Sequence, residues 1–206
     1  MEIKLIIFDL GGVLTQDNPD KKDPYITISE KYGLARDDFE KIIYTYFEDY
    51  HFKRTLSQYN FWRKTLEVIK KDVTDEEITE VIEEFNNNMI GGFNDQMIQL
   101  LHNLSSNYKL VLLSNSSREM EKAIFSSKCV RFFDRICLTH INSYKKSNPK
   151  AYAPILEDFK LDPKEVLLID DKQKNLNGAT SVGINTILFK NYSDLIEELK
   201  KMNISP

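Results

Sequence analysis

Three stretches of the 206-residue chain set polar side chains directly behind apolar runs. Leu5-Ile6-Ile7-Phe8 runs into Asp9, with Gly11-Gly12 close behind. Leu110-Val111-Leu112-Leu113 runs into Ser114-Asn115, and Val166-Leu167-Leu168-Ile169 into Asp170-Asp171. An apolar, β-branched run of this length reads as a buried strand. A carboxylate at its end is poor core material, because burying an unpaired charge is costly. At the carboxyl edge of an open α/β sheet it is well placed for a ligand. Taken alone, Asp9 can equally be an acid that ends a strand beside a turn. Taken together, Asp9, Asp170 and Asp171 repel one another unless a cation shares them, and their oxygens suit Mg²⁺, which keeps some waters and accepts phosphate oxygen as a further ligand. The hydroxyl of Ser114 and the N–H of Asn115 suit phosphate oxygens at a helix amino end. A fixed cation for such a phosphate can come from Lys145 or Lys146.

The elements that must position these residues follow from the pattern around them. From Lys109 onward, strands and helices alternate. A helix is predicted near Arg118–Ser127, a short strand at Arg135–Leu138 and a helix from Pro149 to about Phe159. After the Val166–Ile169 strand comes a helix whose small residues Gly178 and Ala179 suit close packing on a sheet. A strand at Asn185–Phe189 and a last helix, Asp194–Met202, capped by Ser193, complete the pattern. Such alternation implies a parallel sheet with right-handed crossovers, so all three strand ends share one edge. Residues 24–88 depart from it. Helical spacing of apolar residues runs through Pro24–Tyr32, Asp37–Asp49, Ser57–Lys70 and Asp75–Asn87. Ser57 can cap the third of these, and Thr74 precedes the acids Asp75-Glu76-Glu77, which suit a helix amino end. Tyr44, Tyr46, Phe47, Tyr50, Phe52, Tyr59, Phe61 and Trp62 are expected to fill a small helical core. Gln16–Asp23 and Met89–Phe93, the latter with Gly91-Gly92, read as linkers and hinges.

Composition narrows the function. A net charge of −4 leaves no basic field for nucleic acid. No apolar run approaches the roughly 20 residues of a membrane span, and the chain begins directly in a strand, so a cytoplasmic location is expected. Cys129 and Cys137 read as reduced thiols, and His51, His102 and His140 share no motif, which argues against a histidine-based site. Either a monomer or a homodimer fits.

The same residues carry a resemblance. Phe8-Asp9-Leu10-Gly11-Gly12-Val13-Leu14 resembles the first motif of the haloacid dehalogenase superfamily, Asp-x-Asp-Gly-(Thr/Val). Leu112-Leu113-Ser114-Asn115 resembles the second, an apolar strand ending in Ser or Thr. Lys146-Ser147-Asn148-Pro149-Lys150-Ala151-Tyr152 resembles the third, Lys-Pro-x-Pro-x-x-(Tyr/Phe). Asp170-Asp171-Lys172-Gln173-Lys174-Asn175, followed by Gly178-Ala179, resembles the fourth, Asp-Asp-x-x-x-Asn. The resemblance spans the whole chain and is nearest to sugar-phosphate phosphatases of the glucose-1-phosphate type, whose first motif also has Gly in place of the second Asp. It implies an α/β fold, a three-layer Rossmann-like parallel sheet core of residues 1–15 and 92–206 with an inserted all-helical cap, residues 16–91. It implies a Mg²⁺-dependent phosphomonoesterase acting on a small phosphorylated metabolite. Asp9 would be the nucleophile that forms an aspartyl-phosphate. Asp9, the main-chain carbonyl of Gly11, Asp170 and Asp171 would hold the metal. Ser114, Asn115 and Lys146 would bind the phosphate, Lys146 being preferred over Lys145 because it stands six residues before Tyr152. Asn175 would order the metal loop. Gly11 departs from the usual Asp, the family's general acid and base, and Asp17 is a weak substitute. A metal-independent 2-haloacid dehalogenase is an alternative, against which the Asp170-Asp171 pair argues. A weakly active protein that binds a phosphorylated ligand or a protein partner is another, and Gly11 is its best support.

Overall fold

The computed structural model describes residues 2–16, 23–51, 53, 55–88, 92–116, 118–125, 127–142 and 144–206. The chain forms two compact units, Met1–Asp17 with Gly92–Pro206, and Asn18–Gly91. It opens with β1 (Leu5–Phe8) and β2 (Thr15–Gln16). The helices α1 (Pro24–Lys31), α2 (Arg36–His51), α3 (Gln58–Ile69) and α4 (Asp75–Asn88) follow. The larger unit resumes with β3 (Gly92–Phe93), α5 (Asp95–Leu104), β4 (Lys109–Ser114), α6 (Arg118–Phe125), β5 (Arg135–Leu138) and α7 (Thr139–Asn142). A 3-10 turn at Pro149–Ala151 leads into α8 (Ala153–Phe159), then come β6 (Val166–Asp170), α9 (Gln173–Thr180), β7 (Asn185–Leu188) and α10 (Tyr192–Lys201).

The five-stranded sheet has the order β5-β4-β1-β6-β7, and every pairing in it is parallel. The central strands are apolar without alternation because both faces are covered. Leu5 to Phe8, Leu110 to Leu113 and Val166 to Ile169 are all fully buried. Each such side chain contributes roughly 1.5–3 kcal/mol by leaving water. On one face Leu5, Ile7, Val111, Leu113, Val166 and Leu168 pack with Tyr152, Ile155, Leu176 and Ala179. The chain leaves β1 toward β4 on one side and later returns to β6 on the other, so the strand order reverses at β1. That reversal opens the crevice in which α/β sheets bind ligands.

The helical unit has its own core. Ile28, Phe39, Ile43, Tyr50, Phe61, Trp62, Leu66, Ile78, Val81 and Phe85 are buried together. Trp62 meets Phe61 and Phe85 edge-on at 5.3 and 5.0 Å, and Tyr50 stacks on Phe61 at 4.5 Å. Ser57 caps α3 by accepting from the N–H of Asn60. Thr74 and Glu77 form a reciprocal capping box at the start of α4. Of the aromatics expected inside, Tyr44 is instead exposed. The buried stripe of α2 is Phe39, Ile43 and Tyr50, and Tyr44 lies about 100° around the helix from Ile43. Phe52 lies outside the described residues.

Two other expectations change. Gly92, expected in a linker, is paired strand: Thr15 faces Phe93 and Gln16 faces Gly92 in an antiparallel ladder. Asp23, the end of the first expected linker, caps α1 by accepting from the N–H of Tyr25 at 2.8 Å, and residues 17–22 and 89–91 lie outside the described residues. The last helix starts at Tyr192, and its cap is Asn191, whose extended backbone lets the side chain accept from the N–H of Asp194. Ser193 falls within the first turn. Asn and Ser are comparable caps, so residue type alone did not choose between them. Among the described residues no helix is long and apolar enough to cross a membrane.

Candidate active site

Register builds the site. Ile7 faces Leu168 and Phe8 faces Ile169, so Asp9 and Asp170 stand level at the ends of neighbouring strands. The N–H of Asp9 donates to the carbonyl of Ile169 at 3.0 Å, which ties the two ends together. Because side chains alternate along a strand, both acids lie on the face of Ile7 and Leu168. Phe8 faces Leu112 across the other edge of β1, so Ser114 ends β4 beside the same turn, also buried.

Asp9 is fixed by two donors. Its Oδ1 accepts from the N–H of Leu10 at 2.6 Å and lies 2.6 Å from Lys146 Nζ. The same ammonium donates to Asp170 Oδ2 at 2.6 Å. Lys146 is 1% exposed, whereas Lys145 is exposed, so the turn sends one lysine inward and its neighbour outward. Asp170, fully buried, also accepts from the N–H of Lys172 at 2.9 Å and from Asn175 Nδ2 at 2.9 and 3.1 Å. Asp171 is different. It is half-buried, and its Oδ1 is a buried atom with no hydrogen-bond partner. Ligand oxygens of Asp9, Asp170 and Asp171 lie within 4.8 Å of one another.

Three carboxylates against the buried Lys146 ammonium and the exposed Lys172 ammonium, the latter 3.9 Å from Asp171 Oδ2, leave a surplus of negative charge. Burial pushes the Asp9 carboxyl up to about 6, against the pull of the Lys146 charge and with the repulsion of Asp170. An orphaned carboxylate oxygen, a hard all-oxygen donor set and uncompensated charge together fit a small divalent cation such as Mg²⁺. Gly12 makes room for this arrangement. It has φ +77°, and a Cβ there would lie 2.8 Å from Asp171 Oδ2. Gly11, one residue earlier, has nothing within 4 Å of where its Cβ would be.

Asp9, Asp170, Asp171, Lys146 and Asn175 thus meet in one cluster, Gly11 and Ser114 stand at the strand ends that carry it, and two further residues do more than expected. Asn115, expected to offer its N–H to phosphate, also accepts the N–H of Lys146 on its side-chain oxygen at 3.1 Å. Gly178, expected to pack on the sheet, lies against backbone: a Cβ there would meet the Lys146 carbonyl oxygen at 2.6 Å and Ser147 at 2.8 Å. Tyr152 entered the sequence reading only as the last position of the third motif, without a role of its own, yet its hydroxyl lies 2.7 Å from the carbonyl of Lys146. The signal available was a tyrosine within an otherwise apolar core, whose hydroxyl needs a partner. Asp17 lies outside the described residues.

D-ribitol-5-phosphate phosphatase of Bacteroides thetaiotaomicron is 25% identical over 214 residues, covering 96% of this chain and 97% of that enzyme. A predicted haloacid dehalogenase-like family hydrolase from Porphyromonas gingivalis has TM-score 0.75 at 23% identity, with all of both chains covered. A haloacid dehalogenase family enzyme of Bacteroides thetaiotaomicron, crystallised with magnesium and inorganic phosphate, has TM-score 0.70 at 23% identity, covering 94% of this chain and 98% of that one. These two structures share the fold. The family model of the haloacid dehalogenase-like hydrolases matches residues 3–183, and the chain belongs to that family.

Proposed function

We propose that the chain is a Mg²⁺-dependent phosphomonoesterase that acts on a small phosphorylated metabolite, a sugar or polyol phosphate, through an aspartyl-phosphate on Asp9. The observation that carries this reading is the buried Asp9–Lys146–Asp170 chain, 2.6 Å at each link, beside the unpartnered oxygen of Asp171. The substrate class is supported by the ribitol-phosphate phosphatase, similar to this chain over nearly its full length. The metal is supported by the donor set and by the magnesium and phosphate bound in the related crystal structure.

In this reading Asp9 and Asp171, with the Gly11 carbonyl, hold the cation. Asp170 is a weaker direct ligand, because both its oxygens already accept hydrogen bonds. When bound, the Mg²⁺ offsets the negative charge of the transferring phosphoryl group. The chain's own residues do the rest. Leu10 N–H and Lys146 hold the Asp9 carboxylate in one orientation, so little ordering remains when phosphorus approaches. Asp9 oxygen forms a bond to phosphorus as the bond to the sugar oxygen breaks, and the departing alkoxide takes its proton from water. Water then attacks the acyl phosphate and releases inorganic phosphate, restoring Asp9. Ser114 and the third proton of Lys146 bind the phosphoryl oxygens. The helical unit, Asn18–Gly91, is assigned the part of cap and substrate selector.

Phosphate release from a panel of sugar and polyol phosphates tests the reading, run with Mg²⁺, with a chelator and with Asp9→Asn. Turnover is expected only from the intact protein with Mg²⁺. Turnover by Asp9→Asn, or undiminished turnover in chelator, overturns it. Binding of phosphate and Mg²⁺ without turnover favours the binding protein instead, the reading that Gly11 supports.

A further inference from the structure

We propose that Tyr152 is a positioning residue for catalysis: its hydroxyl fixes the backbone of Lys146 and so places the ammonium between Asp9 and Asp170. The inference rests on the reading of Lys146 given above and adds a residue to it.

Lys146 lies in a turn, outside any helix or strand. Its stem has four rotatable bonds, so two carboxylates at the tip do not by themselves define where the ammonium sits. The root must be held as well, and three hydrogen bonds hold it. The N–H of Lys146 donates to Asn115 Oδ1, just past β4. The turn closes on itself through Asn148 N–H to the Lys145 carbonyl at 2.8 Å. The carbonyl of Lys146 accepts from the Tyr152 hydroxyl at 2.7 Å.

The same hydroxyl lies 3.1 Å from the carbonyl of Asn175 on α9. Asn175 sends its amide to Asp170, as Lys146 sends its ammonium. One phenol oxygen thus touches the backbone of both residues whose side chains converge on Asp170. Its ring is fully buried among Leu5, Ile7, Leu168 and Leu176, so the hydroxyl has no freedom to follow a shifted loop. Gly178 lets α9 approach the turn to backbone contact, since a Cβ there would lie 2.6 Å from the same Lys146 carbonyl oxygen. Tyr152 and Gly178 thus meet the turn at one carbonyl.

Removing only the hydroxyl, Tyr152→Phe, keeps the ring and its packing. The expected result is a fall of about tenfold to a hundredfold in kcat with KM within about threefold, since a reactive group displaced by a fraction of an ångström affects the chemical step most. The decisive readout is a double-mutant cycle with Lys146→Ala. If Tyr152 acts through Lys146, Tyr152→Phe costs nothing further in the Lys146→Ala background, so the two losses are not additive. Ile155→Val, which removes one methyl from the same core and leaves the Tyr152 hydroxyl in place, is the control for a general loosening and is expected to keep kcat within about twofold. Gly178→Ala, which forces the turn outward, is expected to resemble Tyr152→Phe. Wild-type kcat in a Tyr152→Phe protein that folds, or a full additional loss on top of Lys146→Ala, overturns the positioning role. Absence of Mg²⁺- and Asp9-dependent turnover in the wild type overturns the underlying reading instead, so the two failures are distinguishable.

Discussion

At the scale of single residues, Gly11 sets the chemistry apart. The leaving alkoxide of a sugar phosphate needs a proton, and no side chain at this position supplies one. A positioned acid is worth about 10²–10⁴ in rate. The space where a side chain would start is open. Gly11→Asp is therefore expected to fold and to raise kcat on alkyl phosphates by about tenfold or more. An aryl phosphate, whose phenolate leaves unaided, should change little, and phosphate release on both substrates measures the contrast. Asp9 makes a second prediction. A raised carboxyl pKa means that the folded, metal-free protein holds that proton more tightly than the unfolded chain. Its contribution to stability is full below the ordinary 3.8 and is lost as pH rises through about 6. Mg²⁺ meets only the ionised form, so the metal should raise Tm more at about pH 7.5 than at about pH 5. Thermal unfolding with and without Mg²⁺ at both values checks the sign. The alternative of Lys145 or Lys146 belongs to this scale too. Spacing to Tyr152 favours Lys146 over its neighbour in the sequence, and the turn buries Lys146 while Lys145 is exposed.

At the scale of elements, most helices and strands were legible because their buried faces are continuous. Leu110–Leu113 and Val166–Ile169 have no polar interruption, and β5 falls on Arg135–Leu138 as its pattern predicted. Ends were less legible, since several residues near a helix start are able to cap it. Asn191 and Ser193 make the case testable. Asn191→Ala should cost about 1 kcal/mol of stability, the usual value of a lost cap, while Ser193→Ala should cost a few tenths at most. Chemical denaturation of both variants decides it, and a larger loss at Ser193 would return the cap to that residue. The β2–β3 pair was invisible for a different reason. Two residues on each side carry no periodicity, and their pairing joins positions separated by the whole helical insert.

At the scale of the whole molecule, each of the two units has a hydrophobic core of its own among the described residues. Each unit buries its own apolar faces, as an independently cooperative domain does. Trp62→Ala is expected to cost the helical unit about 3–5 kcal/mol, because Trp62 is fully buried among Phe61 and Phe85. Hydrogen exchange should then quicken across 24–88 while β1, β4 and β6 keep their protection. Equal loss of protection in both would show one cooperative unit instead.

The sequence by itself determined the sheet, the helical insert and the edge at which Asp9, Ser114 and Asp170 gather. These follow from local patterns: apolar runs that must be buried on both faces, and crossovers with one handedness. The tertiary structure alone decided that Asp170 is saturated by Lys146 and Asn175, and that Asp171 keeps a free oxygen. It alone placed Tyr152 and Gly178 on the turn that carries Lys146. Lys146 and Asp170 are 24 residues apart, and their contact depends on strand register and on the path of a loop. Neither leaves a mark in the spacing of residues, because it is the packing of distant segments, not the local period, that brings those atoms within reach.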